Sequence, residues 1–327
     1  MLNRRRFISL TAASLAAPSI VSSSAFAQAW PQKPVRIIVP FPPGGSTDVT
    51  ARIVGARLQE VWGQTVVIEN KGGAGGNIAA DAAAKAEPDG YTLFIVGPGQ
   101  ATNKFLYPSL TYDPVADFAP VSLLILQPNI MCVPNTSTSK SVKGFIDHCN
   151  ANKGKVSYAS SGNGTSLHLG AELFKRLAKV EMNHIPYRGA APALNDLIPG
   201  RVDVIFDNAP SILPHVKAGS VRALAVTTAK RVSVLPDMPT IAESGVPGFD
   251  VSSWFGFFYQ AKTPPEIIAK VNADTRAALE YPSVKNRLLE LGAEPSGGTP
   301  AALAAHLKAE MDKWGPVITD AKIRIEN

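Results

Sequence analysis

Short polar side chains and glycines cluster at four places in this sequence, each between an apolar run and an amphipathic segment. Unpaired backbone N–H groups at a helix start carry a partial positive charge, and glycine lets a ligand approach the backbone closely. The pattern predicts anion binding, and several such helix starts facing one cleft would suit a carboxylate. The four stretches are PFPPGGSTD from residue 40, ENKGGAGGN from 69, GPGQATN from 97 and ASSGNGTS from 159.

The stretch PGGSTD allows two interpretations. In the first, its backbone cradles an anion and the hydroxyls of Ser46 and Thr47 add hydrogen bonds. In the second, Ser46 or Thr47 only caps a helix, and Asp48 opposes the helix dipole in the first turn. The residues alone leave both open. The GGAGG run at residues 72–76 favours a flexible turn, and neither a P-loop nor GxGxxG occurs, so nucleotide binding is not expected.

The stretch SSGNGTSLH places short hydrogen-bonding side chains at another helix start. They belong to Ser160, Ser161, Asn163 and Thr165, and His168 follows one turn into the helix. His168 could face a cleft as a ligand contact. A single histidine without a partner motif is more often structural, and we favour that interpretation.

Two further candidate positions come at strand ends. Asp207 and Asn208 end the run VDVIFDN, where Asp207 could hold a water or an ammonium group, or cap the next helix. Arg188, after Tyr187, could pair with a carboxylate through two hydrogen bonds or form a surface ion pair. No GxSxG occurs, and no Ser or Cys is paired by motif with a His and an acid, which shifts the expectation from catalysis toward binding.

The N-terminus is typical of an export signal. MLNRRRF is basic, a weakly apolar stretch follows, and Ala25–Ala27 form a small-x-small cleavage site, so we expect residues 1–27 to be removed after Ala27. Arg4–Phe7 also fit a twin-arginine export pattern. Removal lowers the net charge from +6 to +3, with 29 Lys and Arg against 26 Asp and Glu. This mild excess predicts no nucleic-acid partner. No later stretch is apolar enough to span a membrane, so we expect an exported, soluble product.

The cysteines and histidines predict no metal or cofactor site. The five histidines are scattered, and neither CxxC nor HExxH occurs. Cys132 falls in a predicted strand and Cys149 at the far end of the next predicted helix. We therefore favour two buried free thiols over a disulfide, which an exported protein could also form.

Apolar runs alternate with amphipathic segments, which predicts the α/β class with parallel sheets and helices on both faces. The first helix is expected at residues 46–62, with Ile53, Val54, Leu58 and Val61 on its apolar face. The extended stretch 119–133, with a break at Gln127-Pro128, and the stretch 235–250 are predicted to cross between two domains. Domain one then comprises residues 28–127 plus 250–327, domain two comprises 128–249, and a ligand cleft lies between them.

Eight motifs in order resemble the Bug (Bordetella uptake gene) family, the TctC-like receptors of tripartite tricarboxylate transporters. They include PFPPGGSTDVTAR, VVIENKGGAGGNIAA, PDGYTLFI, SSGNGTSLHLGAELFK and IPYRGAAPALNDLIPGRVDVIFDN. The resemblance covers essentially the whole chain after residue 27. It implies a two-domain periplasmic binding protein of type II, the Venus-flytrap fold, whose cleft takes small carboxylates such as di- and tricarboxylates, amino acids and aromatic acids.

The resemblance also implies the ligand contacts, made mainly through backbone amides, short hydroxyls and waters. Gly44, Gly45 and Ser46 are expected to form a cradle that faces Ser161 and Thr165. The loop Gly97–Thr102 carries Gln100 where we expect a histidine or another small polar residue, and Pro199-Gly200 is a second departure. The implied ligand-binding set is Phe41, Gly44, Gly45, Ser46, Asp48, Gln100, Thr102, Ser160, Ser161, Asn163, Thr165 and Asp207.

The function implied is that of a periplasmic receptor, not an enzyme. It would capture a small carboxylate without a cofactor or metal, act as a monomer, and deliver its ligand to the membrane subunits of a tripartite transporter. Two alternatives remain open at this stage: a carboxylate sensor that docks on a membrane kinase, and a secreted enzyme.

Overall fold

The computed structural model of the protein describes residues 30–320 and Ile325. The predicted export signal at residues 1–27 lies outside the described residues. Within them, the strands are β1 (Val35–Val39), β2 (Val66–Asn70), β3 (Thr92–Val96), β4 (Phe118–Pro134), β5 (Ser157–Ser160), β6 (Asn183–Pro186), β7 (Val204–Asn208), β8 (Val221–Val226), β9 (Ser252–Gln260) and β10 (Glu294–Gly297).

The helices alternate with these strands through most of the chain, which confirms the predicted α/β class. A short 3-10 turn at Ala74–Gly76 precedes the second helix. The α-helices are α1 (Ser46–Trp62), α2 (Asn77–Ala84), α3 (Gly99–Leu106), α4 (Val142–Ala151), α5 (Ser166–Ala178), α6 (Ala190–Leu197), α7 (Ala209–Lys217), α8 (Pro265–Glu280), α9 (Pro282–Glu290) and α10 (Pro300–Asp320).

The strands form two sheets that share β4. In the first sheet, β2, β1 and β3 run parallel, β9 is antiparallel to β3, and the first part of β4 pairs with β9 and β10. In the second sheet, β6, β5 and β7 run parallel, and the last part of β4 pairs with β7 and β8. Within β1, Val35, Ile37, Ile38 and Val39 are buried and Arg36 is exposed. Strands of a parallel sheet are buried in this way because helices cover both of its faces.

The predicted break at Gln127-Pro128 is wrong, because β4 continues from Phe118 to Pro134. Pro128 lacks a backbone N–H and would interrupt a ladder in the middle of a sheet. In this strand, however, Pro128 pairs with Ser252, the first residue of β9, and the next residue, Asn129, pairs with Asn208 of β7. The proline therefore lies at the point where one ladder ends and the other begins.

Helix α1 has the predicted bounds but a different buried face. Ala51, Val54, Leu58 and Trp62 are buried, whereas Val61 is 43% exposed. The buried residues are separated by three or four positions, the spacing of neighbours on one helix face. The predicted placement of Val61 on the apolar face is therefore wrong.

Several other predicted elements differ from the structure. The stretch expected as a loop at Gly97–Thr102 contains the first turn of α3, since the Gly-Pro-Gly run precedes a helix and does not prevent one. The sequence pattern predicts a helix over roughly residues 300–314, whereas α10 continues to Asp320. In the described structure, Cys132 of β4 and Cys149 of α4 are both buried and free, as favoured from the sequence.

Apolar side chains pack against both faces of each sheet. One cluster on the second sheet includes Phe145, Phe174 and Phe206, and it also takes in Trp314 and Ile318 from α10. The C-terminal half of α10 therefore packs against the second sheet, although α10 begins beside the first. Fully buried aromatic rings of this kind contribute much of the free energy of folding.

Candidate functional site

A pocket lies where the carboxyl ends of the parallel strands of both sheets face each other. Its space amounts to about 620 Å³, including the part open to solvent. The segments after β1, β3, β5 and β7 all contribute residues, as expected for ligand sites in open α/β sheets. Its polar lining comprises Ser46, Thr47, Gln100, Asn103, Tyr112, Ser161, Thr165, Ser166, Asn208 and Ser253.

Six helices begin at this pocket. Ser46 of α1, Gly99 of α3, Ser166 of α5 and Ala190 of α6 line it, as do Gly76 and Asn208, the residues before α2 and α7. In the described structure, the N-cap residues of these six helices make no side-chain capping hydrogen bond. In α2 and α3 the first N–H groups donate to nearby backbone carbonyls, such as that of Gln100 to Gly97 at 2.9 Å. In α1, α5, α6 and α7 the first N–H groups remain available to donate to an anion, and the partial positive charge of each helix start favours one.

The lining carries no formal charge. Among the described residues, those that line the pocket include no Asp, Glu, Lys, Arg or His. Burial raises the pKa of Tyr112 to about 12, so its phenol stays neutral at physiological pH. Neutral hydrogen-bonding groups therefore form the described surface of the pocket.

Asp48 fixes the shape of the first loop, residues 40–45 between β1 and α1, without lining the pocket. Its carboxylate accepts hydrogen bonds from the Gly44 N–H at 3.0 Å, from Arg52 Nε at 3.0 Å and from Asn70 Nδ2 at 3.0 Å. Asn70 Nδ2 also donates to the carbonyl of Phe41 at 2.8 Å. Burial raises the pKa of Asp48, but these hydrogen bonds and Arg52 outweigh it and hold the pKa below its usual range.

The capping interpretation of Ser46 and Thr47 is wrong, because Gly45 is the N-cap of α1 and Ser46 is its first residue. The Ser46 hydroxyl instead donates to Gln127 Oε1 at 2.8 Å. Ser46 therefore lines the pocket with a hydroxyl whose proton is already donated to Gln127. Its oxygen can still accept a hydrogen bond.

The second loop, residues 160–165, is held by its own hydrogen bonds. Thr165 Oγ1 donates to the carbonyl of Gly162 at 2.7 Å, and the N–H of Gly162 donates to Ser160 Oγ at 3.2 Å. The N–H of Gly164 donates to His168 Nδ1 at 3.2 Å. His168 thus lies behind the loop and shapes it, which agrees with the structural interpretation favoured from the sequence.

His168 belongs to a stack of three rings beneath this loop. The ring centroids of His168 and His184 are 4.3 Å apart, and those of His184 and Tyr158 are 4.7 Å apart. Ser160 Oγ lies 2.6 Å from His184 Nε2. Burial lowers the pKa of His168 to about 4 and that of His184 to about 3. Both imidazoles are therefore neutral at pH 7, so His168 Nδ1 can accept its hydrogen bond.

The structure brings half of the predicted ligand-binding set to the pocket surface. These are Phe41, Gly45, Ser46, Gln100, Ser161 and Thr165, which face one another across it. The other six do not line it: Gly44, Asp48, Thr102, Ser160, Asn163 and Asp207. Thr102 Oγ1 donates to the carbonyl of Gly164 at 3.0 Å, and Asn163 faces a second, outer space of about 720 Å³ together with Arg188.

Asp207 is fully buried behind the start of α7. Its carboxylate accepts hydrogen bonds from the Asn208 N–H at 2.8 Å and from the hydroxyl of Ser211. Burial raises the pKa of Asp207 to about 7, and these two hydrogen bonds counteract the rise only in part. Asp207 therefore holds the first turn of α7, while its neighbour Asn208 lines the pocket.

Some lining residues carried no sequence signal. Tyr112 and Ser253 come from segments far from the glycine-rich stretches, so no spacing indicated them. Ser166 follows the predicted Thr165 directly, but nothing in its type or spacing distinguishes it from its neighbours in the sequence. Its hydroxyl donates to Asn208 Oδ1 at 3.0 Å and accepts from Asn129 Nδ2 at 3.1 Å, a polar network that becomes apparent only in the fold.

The pocket has two edges, one containing Pro42 and Gly75 and the other containing Asn163 and Gly189. The two edges approach each other closely at the glycines. A Cβ atom at Gly75, whose φ is +62°, would lie 2.6 Å from both the carbonyl oxygen of Asn163 and the hydroxyl of Tyr107. A Cβ atom at Gly189 would lie 2.8 Å from Pro42. These positions need glycine because the backbones of the two edges approach closely here, which narrows the mouth of the pocket.

Within residues 30–320 and Ile325, no group of three or more His, Cys, Asp or Glu side chains could hold a metal ion. None of the helices there combines the length and the apolar character that crossing a membrane requires.

Comparison with known proteins identifies the relatives of the chain. The model of the TctC family, described as tripartite tricarboxylate transporter family receptors, matches residues 50–323. The protein BugT of Bordetella pertussis is 36% identical over 308 residues, which cover 93% of this chain and 94% of BugT.

Solved structures resemble the chain over most of its length. A protein of R. palustris solved with adipate is 42% identical with a TM-score of 0.89, over 91% of this chain and 100% of that chain. The periplasmic binding protein BugD is 35% identical with a TM-score of 0.87, over 90% of this chain and 100% of the BugD chain. MatC from Rhodopseudomonas palustris with bound malate is 35% identical with a TM-score of 0.85, over 88% of this chain and 100% of the MatC chain. These matches confirm the predicted type II periplasmic binding protein fold.

Proposed function

The chain belongs to the TctC family of tripartite tricarboxylate transporter receptors, and from this premise we propose that it captures a small carboxylate in the pocket between its two sheets. The observation that carries the proposal is the convergence of six helix starts without side-chain caps on a pocket whose described lining has no formal charge. Two relatives solved with adipate and malate indicate the same ligand class.

The carboxylate would bind between the first and second loops. Backbone N–H groups after Gly45 and Thr165 donate to its oxygens, and the hydroxyl of Ser161 adds a further hydrogen bond. Removing a carboxylate from water is costly unless hydrogen bonds replace its hydration, and the helix starts supply several donors at once. Because no cation fixes one orientation, the shape of the pocket and its neutral hydrogen-bonding groups select the acid.

Ligand capture would close two domains around the pocket. We assign residues 28–127 plus 250–327 to one domain and 128–249 to the other, with the hinge where β4 passes from the first sheet to the second, beside the start of β9. The pairing of Gln127 with Ser253 marks this crossing. A ligand that touches both loops binds the closed form better than the open form, and this difference is what shifts the equilibrium toward closure.

The proposed site of action is the periplasm. Residues 1–27 would direct export, with their arginines suited to the twin-arginine route, and cleavage after Ala27 would release the receptor. The loaded receptor, as a monomer, would then deliver its ligand to the membrane subunits of a tripartite transporter. Deleting the gene and measuring uptake of the identified acid tests this step, since uptake unchanged by the deletion would contradict delivery.

A thermal-shift screen of carboxylic acids on the chain that begins at Gln28 tests the binding proposal. A ligand at 100 times its Kd stabilises the native state by about 2.7 kcal/mol. For a chain of this size, we expect a rise in Tm of about 5 °C or more. The matched control is the methyl ester of the same acid, which keeps the carbon skeleton and removes the charge. If no acid raises Tm at millimolar concentration, the receptor proposal fails.

A further inference from the structure

Ser253 places an unpartnered hydroxyl in the pocket. Its residue is 1% exposed, it lines the pocket, and its Oγ has no hydrogen-bond partner among residues 30–320 and Ile325. Buried polar groups are nearly always paired, so an unpaired hydroxyl beside a ligand site indicates a partner on the ligand. Ser139, Thr263 and Thr275 also have buried unpaired hydroxyls, but none of them lines the pocket.

The position of Ser253 relative to the first loop is fixed by strand pairing. Ser253 of β9 lies directly opposite Gln127 of β4, so both side chains are on the same face of the sheet. Gln127 Oε1 accepts the hydrogen bond from Ser46, while Gln127 Nε2 has no partner in the described structure. Cβ atoms of directly opposed residues are about 5 Å apart. Gln127 thus lies next to Ser253 in the sheet and is hydrogen-bonded to Ser46, and Ser46 and Ser253 line the same pocket.

The polar groups at Ser253 and Gln127 fit a hydroxyl group on the ligand. A serine hydroxyl can both donate and accept one hydrogen bond, and a ligand hydroxyl has the same two capacities. An ammonium group in this place would be a buried cation, and the described lining has no Asp or Glu to pair with it. A plain methylene group would leave the Ser253 hydroxyl unpaired.

We propose that Ser253 recognises a hydroxyl on carbon 2 of the bound acid, so that the receptor prefers 2-hydroxycarboxylates to acids without that hydroxyl. The inference rests on the proposed carboxylate function of the pocket. Carbon 2 is the atom next to the carboxylate carbon, and Gln127 connects Ser253 to Ser46 at the start of α1, where the carboxylate would lie. Gln127 Nε2 supplies a second donor behind the same corner.

Titration calorimetry with two acids that differ by one hydroxyl tests this inference. Malate and succinate are compared on the chain that begins at Gln28, on Ser253→Ala and on Ser139→Ala. The wild type should prefer malate about five- to tenfold, the ratio expected for one net hydrogen bond. Ser253→Ala should bring the two affinities within about twofold by weakening malate alone. Ser139→Ala, which removes an unpaired buried hydroxyl outside the pocket, should keep the wild-type preference. Lactate and propionate serve as the second pair.

The possible results distinguish the role of Ser253 from the proposed carboxylate function of the pocket. If the wild type binds malate and succinate equally, or if Ser253→Ala keeps the preference, the inference is overturned while the carboxylate function stands. If no acid in the panel binds at all, both are overturned. Because the comparison of two acids on the wild type needs no variant, a folding defect in Ser253→Ala could not hide a negative result.

Discussion

The hydroxyl of Ser46 donates a 2.8 Å hydrogen bond to Oε1 of Gln127, a residue 81 positions further along the chain. The bond joins the start of α1 to the place where β4 leaves the first sheet. The residue that lines the pocket is thus connected directly to the proposed hinge. Gln127 has no other side-chain hydrogen bond within the described residues, because its Nε2 lacks a partner.

Substituting Ser46 with alanine should therefore destabilise the fold as well as weaken ligand binding. The change leaves the buried amide of Gln127 without any partner, which costs about 1–3 kcal/mol. Urea unfolding measures this loss, and the Ser46→Ala, Gln127→Leu double-mutant cycle isolates the pair. We expect a coupling energy of about 1 kcal/mol. Additive effects of the two substitutions would show that the hydrogen bond contributes nothing.

Acidification should weaken the fold through the two stacked histidines. Burial holds the pKa of His168 at about 4 and that of His184 at about 3, whereas both should titrate near 6.5 in the unfolded chain. The unfolded state thus binds more protons below pH 6.5, so the stability due to these two groups is full above 6.5 and is lost as pH falls toward 4 and 3. Lys175 and Glu172 are the charged groups beside the pair.

NMR titration of the imidazole protons checks this directly. In the native protein the pKa values of the two stacked histidines should lie in the acid range. In urea their pKa values should rise toward the ordinary histidine value of about 6.5. Ligand affinity should fall over the same acid range, since His168 can no longer accept the hydrogen bond from Gly164 once it is protonated. A native titration of either ring near pH 6.5 would contradict the buried, neutral stack.

Replacing Asp207 with asparagine should change stability but not ligand affinity. Burial raises the pKa of Asp207 to about 7, above its unfolded value, so the stability it contributes is present below about pH 4 and lost as pH rises through 7. The free energy of unfolding of Asp207→Asn should therefore increase relative to wild type between pH 4 and 8. Affinity should stay within about twofold, because Asp207 does not line the pocket. A large loss of affinity in a folded variant would assign it a ligand contact.

Most elements could be predicted from the sequence because their periodicity is local. Helix α1 was expected at residues 46–62 and has these bounds, and the alternation of strands and helices predicted the α/β class. Strand β10 and helix α3 were not predicted as elements. β10 is four residues long and pairs only with β4, so tertiary context determines it, and α3 follows a Gly-Pro-Gly run that resembles a turn.

The candidate site could be predicted only where its residues are consecutive. Ser46, Ser161 and Thr165 lie in loops that the glycine pattern marked, and the structure brings them to one pocket. Asp48 and Asp207 were predicted ligand contacts because they are acids near glycine-rich or strand-end positions. In the structure, their carboxylates accept hydrogen bonds from neighbouring N–H and hydroxyl groups. Ser253 became a candidate only through the pairing of β9 with β4, which no local spacing encodes.

Calorimetry on wild type, Gly45→Ala and Gly45→Val tests the central claim that the glycine-rich loop binds a carboxylate. A Cβ at Gly45 would lie 3.7 Å from the Cβ of Ala190, so alanine fits, and φ at Gly45 is −79°. The branched valine would fill the space between the two edges, and overpacking of this kind costs about 1–3 kcal/mol. With the acid that stabilises the wild type most, we predict one site on the wild type, a small change in Gly45→Ala and about tenfold weaker binding in Gly45→Val. Equal affinity in the wild type and a folded Gly45→Val would contradict the account.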